Sequence, residues 1–258
     1  MRVFRGRAAT IEADREVSRR LLSLAADGEP AVRVWTPHRQ VAFGRRDRRL
    51  EGYDRARERA HERDFTPVER DVGGRAVAYD GETTLAFARA EPVADFRRGT
   101  DDRYERATSA VERALRGLEC ESESESGSGL EPVRGEPEQS FCPGTHSLSF
   151  ADASAREGED NGEGETPPQR KVVGIAQRVR QDAAVVAGIV LVDNREELTG
   201  VLESVYDALD VAFDPATVGT VASAGGPSEP GVVREALEDA LVGDETDVTV
   251  ESVASARR

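Results

Sequence analysis

Strand-like and helix-like stretches follow one another in this chain without a strict alternation of one strand and one helix. That order points to an α+β fold, with a mixed, largely antiparallel sheet packed against helices. Thr10 is placed to cap a first helix with apolar positions at Ala13, Val17, Leu21 and Leu24, ended by Asp27-Gly28. Short strands are expected over 31–35, 41–44 and 67–70, with a helix over 52–64 showing Tyr53, Ala56 and Ala60 on one face. Stretches 75–79 and 83–90 read as a hairpin turning at Asp80-Gly81. Asp101 is placed to cap a helix carrying Tyr104, Ala107, Val111, Leu115 and Leu118. Two long apolar runs, 171–179 and 183–192, read as strands. A helix over 196–209 follows, then one opened by Pro230 and running to Leu241, then a short strand over 247–250.

Two polar stretches interrupt this pattern. Residues 119–138 are Glu, Ser, Gly and Pro with almost nothing apolar, and a second such segment spans about 154–169. Both read as insertions too polar to join a core. Between them lies a dense island, 140–150, whose order demands a reason that its flanks do not supply. With 258 residues, 38% of them hydrophobic, the chain suffices for one sizeable core. A single catalytic domain over 1–258 is expected, with polar insertions near 119–139 and 154–169. No run approaches the roughly 18 apolar residues of a membrane helix. The first ten residues lack the apolar centre of a signal peptide, so a soluble cytoplasmic protein is expected. Cys120 and Cys142 make no disulfide framework, and His38, His61 and His146 show no ligand spacing, so no metal site is expected.

The net charge is −15, yet all but one of the 35 basic residues are arginine; the exception is Lys171. Acidity with almost no lysine resembles a proteome adapted to high salt. A lysine that survives there draws attention, because a compact ammonium and a planar guanidinium are not interchangeable. Residues 1–75 hold 18 Arg against 13 Asp plus Glu, about +5, and the remainder carries about −20. Arg45, Arg46, Arg48 and Arg49 form the densest basic run, read either as a solvated loop or as a docking patch for an acidic protein. Nucleic acid is disfavoured, since the patch has no aromatic residues for base stacking.

Three segments can carry chemistry. In Arg70-Asp71-Val72-Gly73-Gly74-Arg75-Ala76-Val77, paired glycines permit a tight turn or the close approach of a backbone to another surface. The segment is neither a dinucleotide fingerprint nor a phosphate loop. In Ser140-Phe141-Cys142-Pro143-Gly144-Thr145-His146, a cysteine before Pro-Gly is either buried and structural or exposed at a sharp turn as a nucleophile. Lys171 would favour its thiolate and His146 is a possible base. In Arg170-Lys171-Val172-Val173-Gly174-Ile175-Ala176-Gln177-Arg178, a glycine within a strand implies close approach to its face.

Together and in this order the three segments resemble the lipoate/biotin protein ligase superfamily, from about Leu21 to Val192. The cysteine island is most similar to its lipoyl amidotransferase and octanoyltransferase branch. The resemblance implies Cys142 and Lys171 as catalytic residues. It implies Arg70, Gly73, Gly74, Ala76, Val77, Asp80, Gly174, Ala176 and Gln177 as substrate-binding, with Lys171 contacting the acyl carbonyl. The implied activity moves an octanoyl or lipoyl group onto the acceptor lysine of lipoyl domains. Its partners would be the glycine-cleavage H protein and 2-oxoacid dehydrogenase E2 subunits, with no nucleic acid and no membrane. No cofactor is needed for transfer. ATP and magnesium enter only if the chain is instead an ATP-dependent lipoate ligase, in which Cys142 would be dispensable and a second subunit is sometimes required. A non-catalytic module that holds lipoyl domains or a free acyl cofactor is the alternative of another class. A biotin ligase fits the cysteine island less well. Arg75 stands where the superfamily often has a third glycine, Tyr79 where it has a histidine, and His146 where the amidotransferases have an aromatic residue. If the arginine run docks an acidic acceptor, replacing Arg45, Arg46, Arg48 and Arg49 with serine raises KM for that acceptor; unchanged steady-state kinetics would remove the docking role.

Overall fold

The computed structural model describes residues 1–70, 73–119, 130–151 and 168–253. Strands β1 (Arg2–Arg5), β2 (Ala31–Trp35), β6 (Thr84–Pro92), β7 (Val133–Arg134), β8 (Ser147–Ala151), β9 (Gln169–Val179), β10 (Ala183–Leu191) and β11 (Thr249–Ser252) form one eight-stranded sheet. Its order is β11-β1-β2-β6-β10-β9-β8-β7. Only the β11–β1 and β1–β2 pairs are parallel, so the sheet is mixed and largely antiparallel. A second sheet has the order β4-β3-β5, from β4 (Thr66–Glu69), β3 (Gln40–Phe43) and β5 (Val77–Tyr79). The helices are α1 (Ile11–Ala26), α2 (Tyr53–Glu62), α3 (Thr100–Arg116), α4 (Arg195–Ala208) and α5 (Pro230–Val242). None is long and apolar enough to cross a membrane.

The period of two along β6 and β10 sorts their side chains between two cores. Leu85, Phe87, Val186 and Val190 join Val111 and Leu115 of α3 and Val233 and Leu237 of α5 on one face. Ala88, Ala90, Ala183 and Val185 meet Leu21, Leu22 and Ala25 of α1 on the other. A third core joins the small sheet to α2 and α4, where Leu198, Val201, Leu202 and Val205 are buried as their spacing requires. In α1, Thr10 accepts from the N–H of Ala13 as expected, but Ala13 itself is exposed. The stripe runs instead through Asp14, Leu21, Leu22 and Ala25. Asp14 is buried because Arg33, fully buried on β2, donates to its Oδ1 at 2.6 Å.

Three expectations need correction. β5 and β6 are not a hairpin: β5 pairs with β3, and β6 lies between β2 and β10. The chain passes from the small sheet to the large one at Asp80-Gly81. There Asp80 accepts from the backbone N–H groups of Glu82, Thr83 and Thr84, at 3.1, 3.0 and 2.8 Å, and from the Thr83 hydroxyl. This local turn points β6 away instead of folding it back. Asp101 is not the cap of α3; Gly99, with φ of 70°, holds that place, and Asp101 lies in the first turn, where a carboxylate complements the helix dipole. The segment 130–139 is not a loose insertion: Leu130 is buried in the first core and β7 pairs with β8. Residues 120–129 and 152–167 of the two polar stretches lie outside the described residues.

Burial works to raise the Asp80 pKa, but the donors from Thr83, Thr84, Glu82 and Asn194 outweigh it and hold the group below the ordinary carboxylate value. The stability it adds is therefore present above the unfolded titration and is lost as pH falls through the folded value. Asp80→Ala leaves buried N–H groups without an acceptor and should destabilise the chain by about 2 kcal/mol, read as a lowered Tm at neutral pH that converges on wild type in acid.

Candidate active site

Cys142 lies in the loop between β7 and β8, half-buried, with φ of 42°. Side chains disfavour that left-handed conformation, so it persists only where surrounding contacts enforce it. Two contacts flank the residue. Its backbone N–H donates to the Tyr206 hydroxyl at 2.6 Å, and that hydroxyl donates onward to the Ala76 carbonyl at 3.0 Å. Its carbonyl accepts from Lys171 Nζ at 2.9 Å. Tyr206 comes from α4 and Lys171 from β9, so two separate elements fix one residue.

Lys171 is fully buried. Besides Cys142, its ammonium donates to the Phe141 carbonyl at 2.9 Å and to Glu136 Oε2 at 2.5 Å. Three donors thus meet three acceptors, and the ammonium also lies 4.9 Å from the Phe141 ring centroid. Burial lowers the Lys171 pKa and Arg70 adds to that; Cys142 and Glu136 oppose it. The geometry gives Lys171 the loop that carries Cys142 as its partner.

The sulfur of Cys142 accepts from Arg70 Nη2 at 3.0 Å and from the Arg75 backbone N–H at 3.3 Å. Arg70 is itself aimed by a 2.6 Å bond to the Arg75 carbonyl. Burial works to lower the Arg70 pKa, but its interactions with Cys142 and Tyr79 outweigh it and the net direction is up. Burial likewise pushes Tyr79 up against the pull of Arg70. Tyr206 is raised by burial first and by its neighbour Cys142 next. Gly74 permits the assembly: its φ is 98°, and a Cβ there would stand 2.5 Å from the sulfur and 2.7 Å from Arg70 Nη2.

From Cys142 a cavity of about 250 Å³ runs over the α1 face of the large sheet towards Leu22 and Trp35. Its floor is made mostly of small residues in register, with Ile189 the exception. Ala88 of β6, Ala187 of β10 and Ala176 of β9 form one cross-strand row; Ala86, Ile189 and Gly174 form the next. Larger side chains at these positions would fill the space. The result is an apolar channel with a thiol and a guanidinium at one end, suited to a flexible hydrocarbon chain bearing a reactive carbonyl.

The expected site residues divide sharply. Arg70, Val77, Cys142, Gly174 and Ala176 line the channel. Gly74 abuts the sulfur, Gly73 is exposed, and Ala76 contributes its carbonyl to Tyr206. Asp80 is committed to its turn. Gln177 points to the other face of the sheet, accepting from Arg103 Nε at 3.0 Å and donating to the Thr100 carbonyl at 3.1 Å. His146 stacks on Tyr104 with ring centroids 3.8 Å apart, and no hydrogen bond joins its ring to Cys142. Glu136 and Tyr206 escaped the sequence reading. Glu136 is one glutamate in a Glu-rich run, and Tyr206 sits in an apolar helix where an aromatic reads as core. Among the described residues no cluster of His, Cys, Asp and Glu is placed to hold a metal ion.

A thiol stands at the mouth of an apolar channel on an α+β scaffold. The lipoyl protein ligase A/B catalytic domain matches residues 13–227, and the chain belongs to that family of lipoylation ligases and transferases. Solved structures that share its fold include an archaeal bi-partite lipoate protein ligase from Thermoplasma acidophilum, described with its E2 lipoyl domain. The two are 17% identical, over 98% of this chain and 87% of that one, with a TM-score of 0.60. LipL1 of P. falciparum in complex with lipoate is 12% identical, over 98% and 66%, with a TM-score of 0.64. A lipoate-protein ligase A bound with ATP is 16% identical, over 92% and 94%, with a TM-score of 0.53. No curated protein matches the chain.

Gly74→Ala should push the sulfur off its two donors. Losing one charge-assisted hydrogen bond, about 1.5 kcal/mol, corresponds to roughly tenfold slower alkylation of Cys142 by iodoacetamide. An unchanged rate in a folded variant would show that these contacts do not govern the thiol.

Proposed function

We propose that the chain is a cysteine-dependent acyltransferase that moves an octanoyl or lipoyl group onto the acceptor lysine of lipoyl domains. The single observation carrying this reading is the Cys142 sulfur at the end of an apolar channel, receiving N–H donors from Arg70 and Arg75. A ligase that only activates a free acid has no use for a thiol held in this way.

In the first step the sulfur attacks the acyl carbonyl, and a carbon–sulfur bond forms as the bond to the donor's amine or thiol breaks. The departing group takes the proton that Cys142 gives up. In the second step the acceptor lysine amine attacks the thioester. The amide forms, the carbon–sulfur bond breaks, and a proton from the amine returns to sulfur. Two moderate barriers replace one high one. Arg70 and the Arg75 N–H serve the sulfur first and are placed to serve the carbonyl oxygen as it gains charge. Lys171, with its donors committed to the loop, holds the nucleophile in place. The row of Ala88, Ala187 and Ala176 receives the hydrocarbon chain.

The proposed acceptors are lipoyl domains, as on the glycine-cleavage H protein and E2 subunits. The exposed run of Arg45, Arg46, Arg48 and Arg49 begins one residue after Gly44, which packs against the Gly74 carbonyl, so it lies beside the channel mouth. That is where an acidic acceptor has to seat its lysine.

Intact-protein mass spectrometry after mixing with an octanoylated carrier protein, without ATP, tests the reading. An added octanoyl mass that is lost in Cys142→Ala and passes to an apo lipoyl domain is the expected result. Acceptor modification that appears only with free acid and ATP, and survives Cys142→Ala, would make the chain an ATP-dependent ligase.

A further inference from the structure

The carboxylate of Glu136 meets donors from three places. Oε2 accepts from Lys171 Nζ on β9 at 2.5 Å and from the Ser147 hydroxyl at the start of β8 at 2.8 Å. Oε1 accepts from the Gly144 backbone N–H, two residues past the nucleophile, at 2.7 Å. Lys171 passes the restraint on to the carbonyls of Phe141 and Cys142. One side chain therefore grips the loop on both sides of Cys142, the residue whose left-handed backbone needs enforcing.

We propose that Glu136 is a positioning residue for acyl transfer: through Lys171 and Gly144 it holds the Cys142 loop in the turn that presents the sulfur to Arg70, Arg75 and the channel. The role rests on the acyl-transfer reading. Three charged or titratable groups face the Lys171 ammonium: Glu136 and Cys142 from the β7–β8 loop, and Arg70 from just after β4. Burial and Arg70 already favour the neutral amine, and Glu136 opposes them. A neutral residue at 136 can still accept hydrogen bonds, but it no longer balances the ammonium. The Lys171 proton is then lost at lower pH; the neutral amine has two donors for three acceptors, and its hold on the two carbonyls loses the charge that strengthens it. The sign follows: the basic limb of the activity profile moves towards acid.

The test uses the full chain and the octanoylated carrier, with transfer followed against pH in wild type, Glu136→Gln and Glu136→Asp. Alkylation of Cys142 is read in parallel at the peptide level, which separates it from Cys120. Glu136→Gln is expected to lower kcat about tenfold, leave KM for the carrier nearly unchanged, and move the basic limb down by about one pH unit. Glu136→Asp, which keeps the charge, restores the position of the limb. A Glu136→Gln limb that superimposes on wild type overturns the assignment, whatever the rate. If Glu136→Gln fails to fold by circular dichroism, Glu136→Asp decides alone: a lowered kcat at wild-type KM supports the role, and a wild-type kcat removes it. A wild-type chain that transfers nothing, yet whose Cys142 alkylation still slows in Glu136→Gln, removes the acyl-transfer reading and keeps the clamp.

Discussion

The buried ammonium of Lys171 is the constraint on which the rest of the site depends. A charge taken out of water is tolerated only where hydrogen bonds and an opposite charge compensate it. Here the compensation comes from Glu136 and from two carbonyls of the very loop that carries Cys142. The electrostatic need of the lysine and the conformational need of the cysteine are met by the same bonds. Removing one member of such a buried pair typically destabilises by about 3–5 kcal/mol, because the other charge is left uncompensated. A guanidinium is a poor substitute, being broad and planar where the space is set for a compact point charge. That accounts physically for a single lysine in a chain otherwise furnished with arginine.

The loop geometry and the channel are two halves of one arrangement. The left-handed turn at Cys142, of a kind that costs about 1–3 kcal/mol, directs the sulfur back towards Arg70 and the Arg75 N–H. Gly74 gives that approach its clearance, and Gly44 in turn clears the Gly74 carbonyl, which a Cβ at 44 would meet at 1.9 Å. Beyond the sulfur, the alanines and glycine that flank Ile189 across β6, β10 and β9 withdraw side-chain volume from one face of the sheet. Opposite them, Gly188 is filled over by Phe87, whose ring a Cβ would meet at 2.3 Å. One face of the same three strands is packed densely and the other is left open, and the period of two in the strands makes that division possible.

The sequence by itself determined the class of fold and most of its elements. Apolar periodicity located α4, β9 and β10 nearly to the residue, and the family came from the resemblance of three short segments that contain Arg70, Cys142 and Lys171. It also singled out Lys171, through composition alone. These features are local or nearly so, and local features are legible because spacing and turn chemistry act over a few residues.

Tertiary structure decided the rest. Whether β5 turns back on β6 or leaves for another sheet depends on which edge each strand finds, and only β3 and β10 settle that. Asp80 and Gln177 stand within motif-like segments, but their side chains are spent on a turn and on α3. His146 is four residues from Cys142, yet its ring is held by Tyr104. Conversely, Glu136 sits in a run of acidic and small residues with nothing to mark it, and Tyr206 is 64 residues from the backbone N–H that it accepts from. Spacing in sequence reports which face of an element a side chain takes. The partners that a charge or a hydroxyl meets are set by how distant elements pack, because a buried polar group must find its bonds wherever the fold brings them.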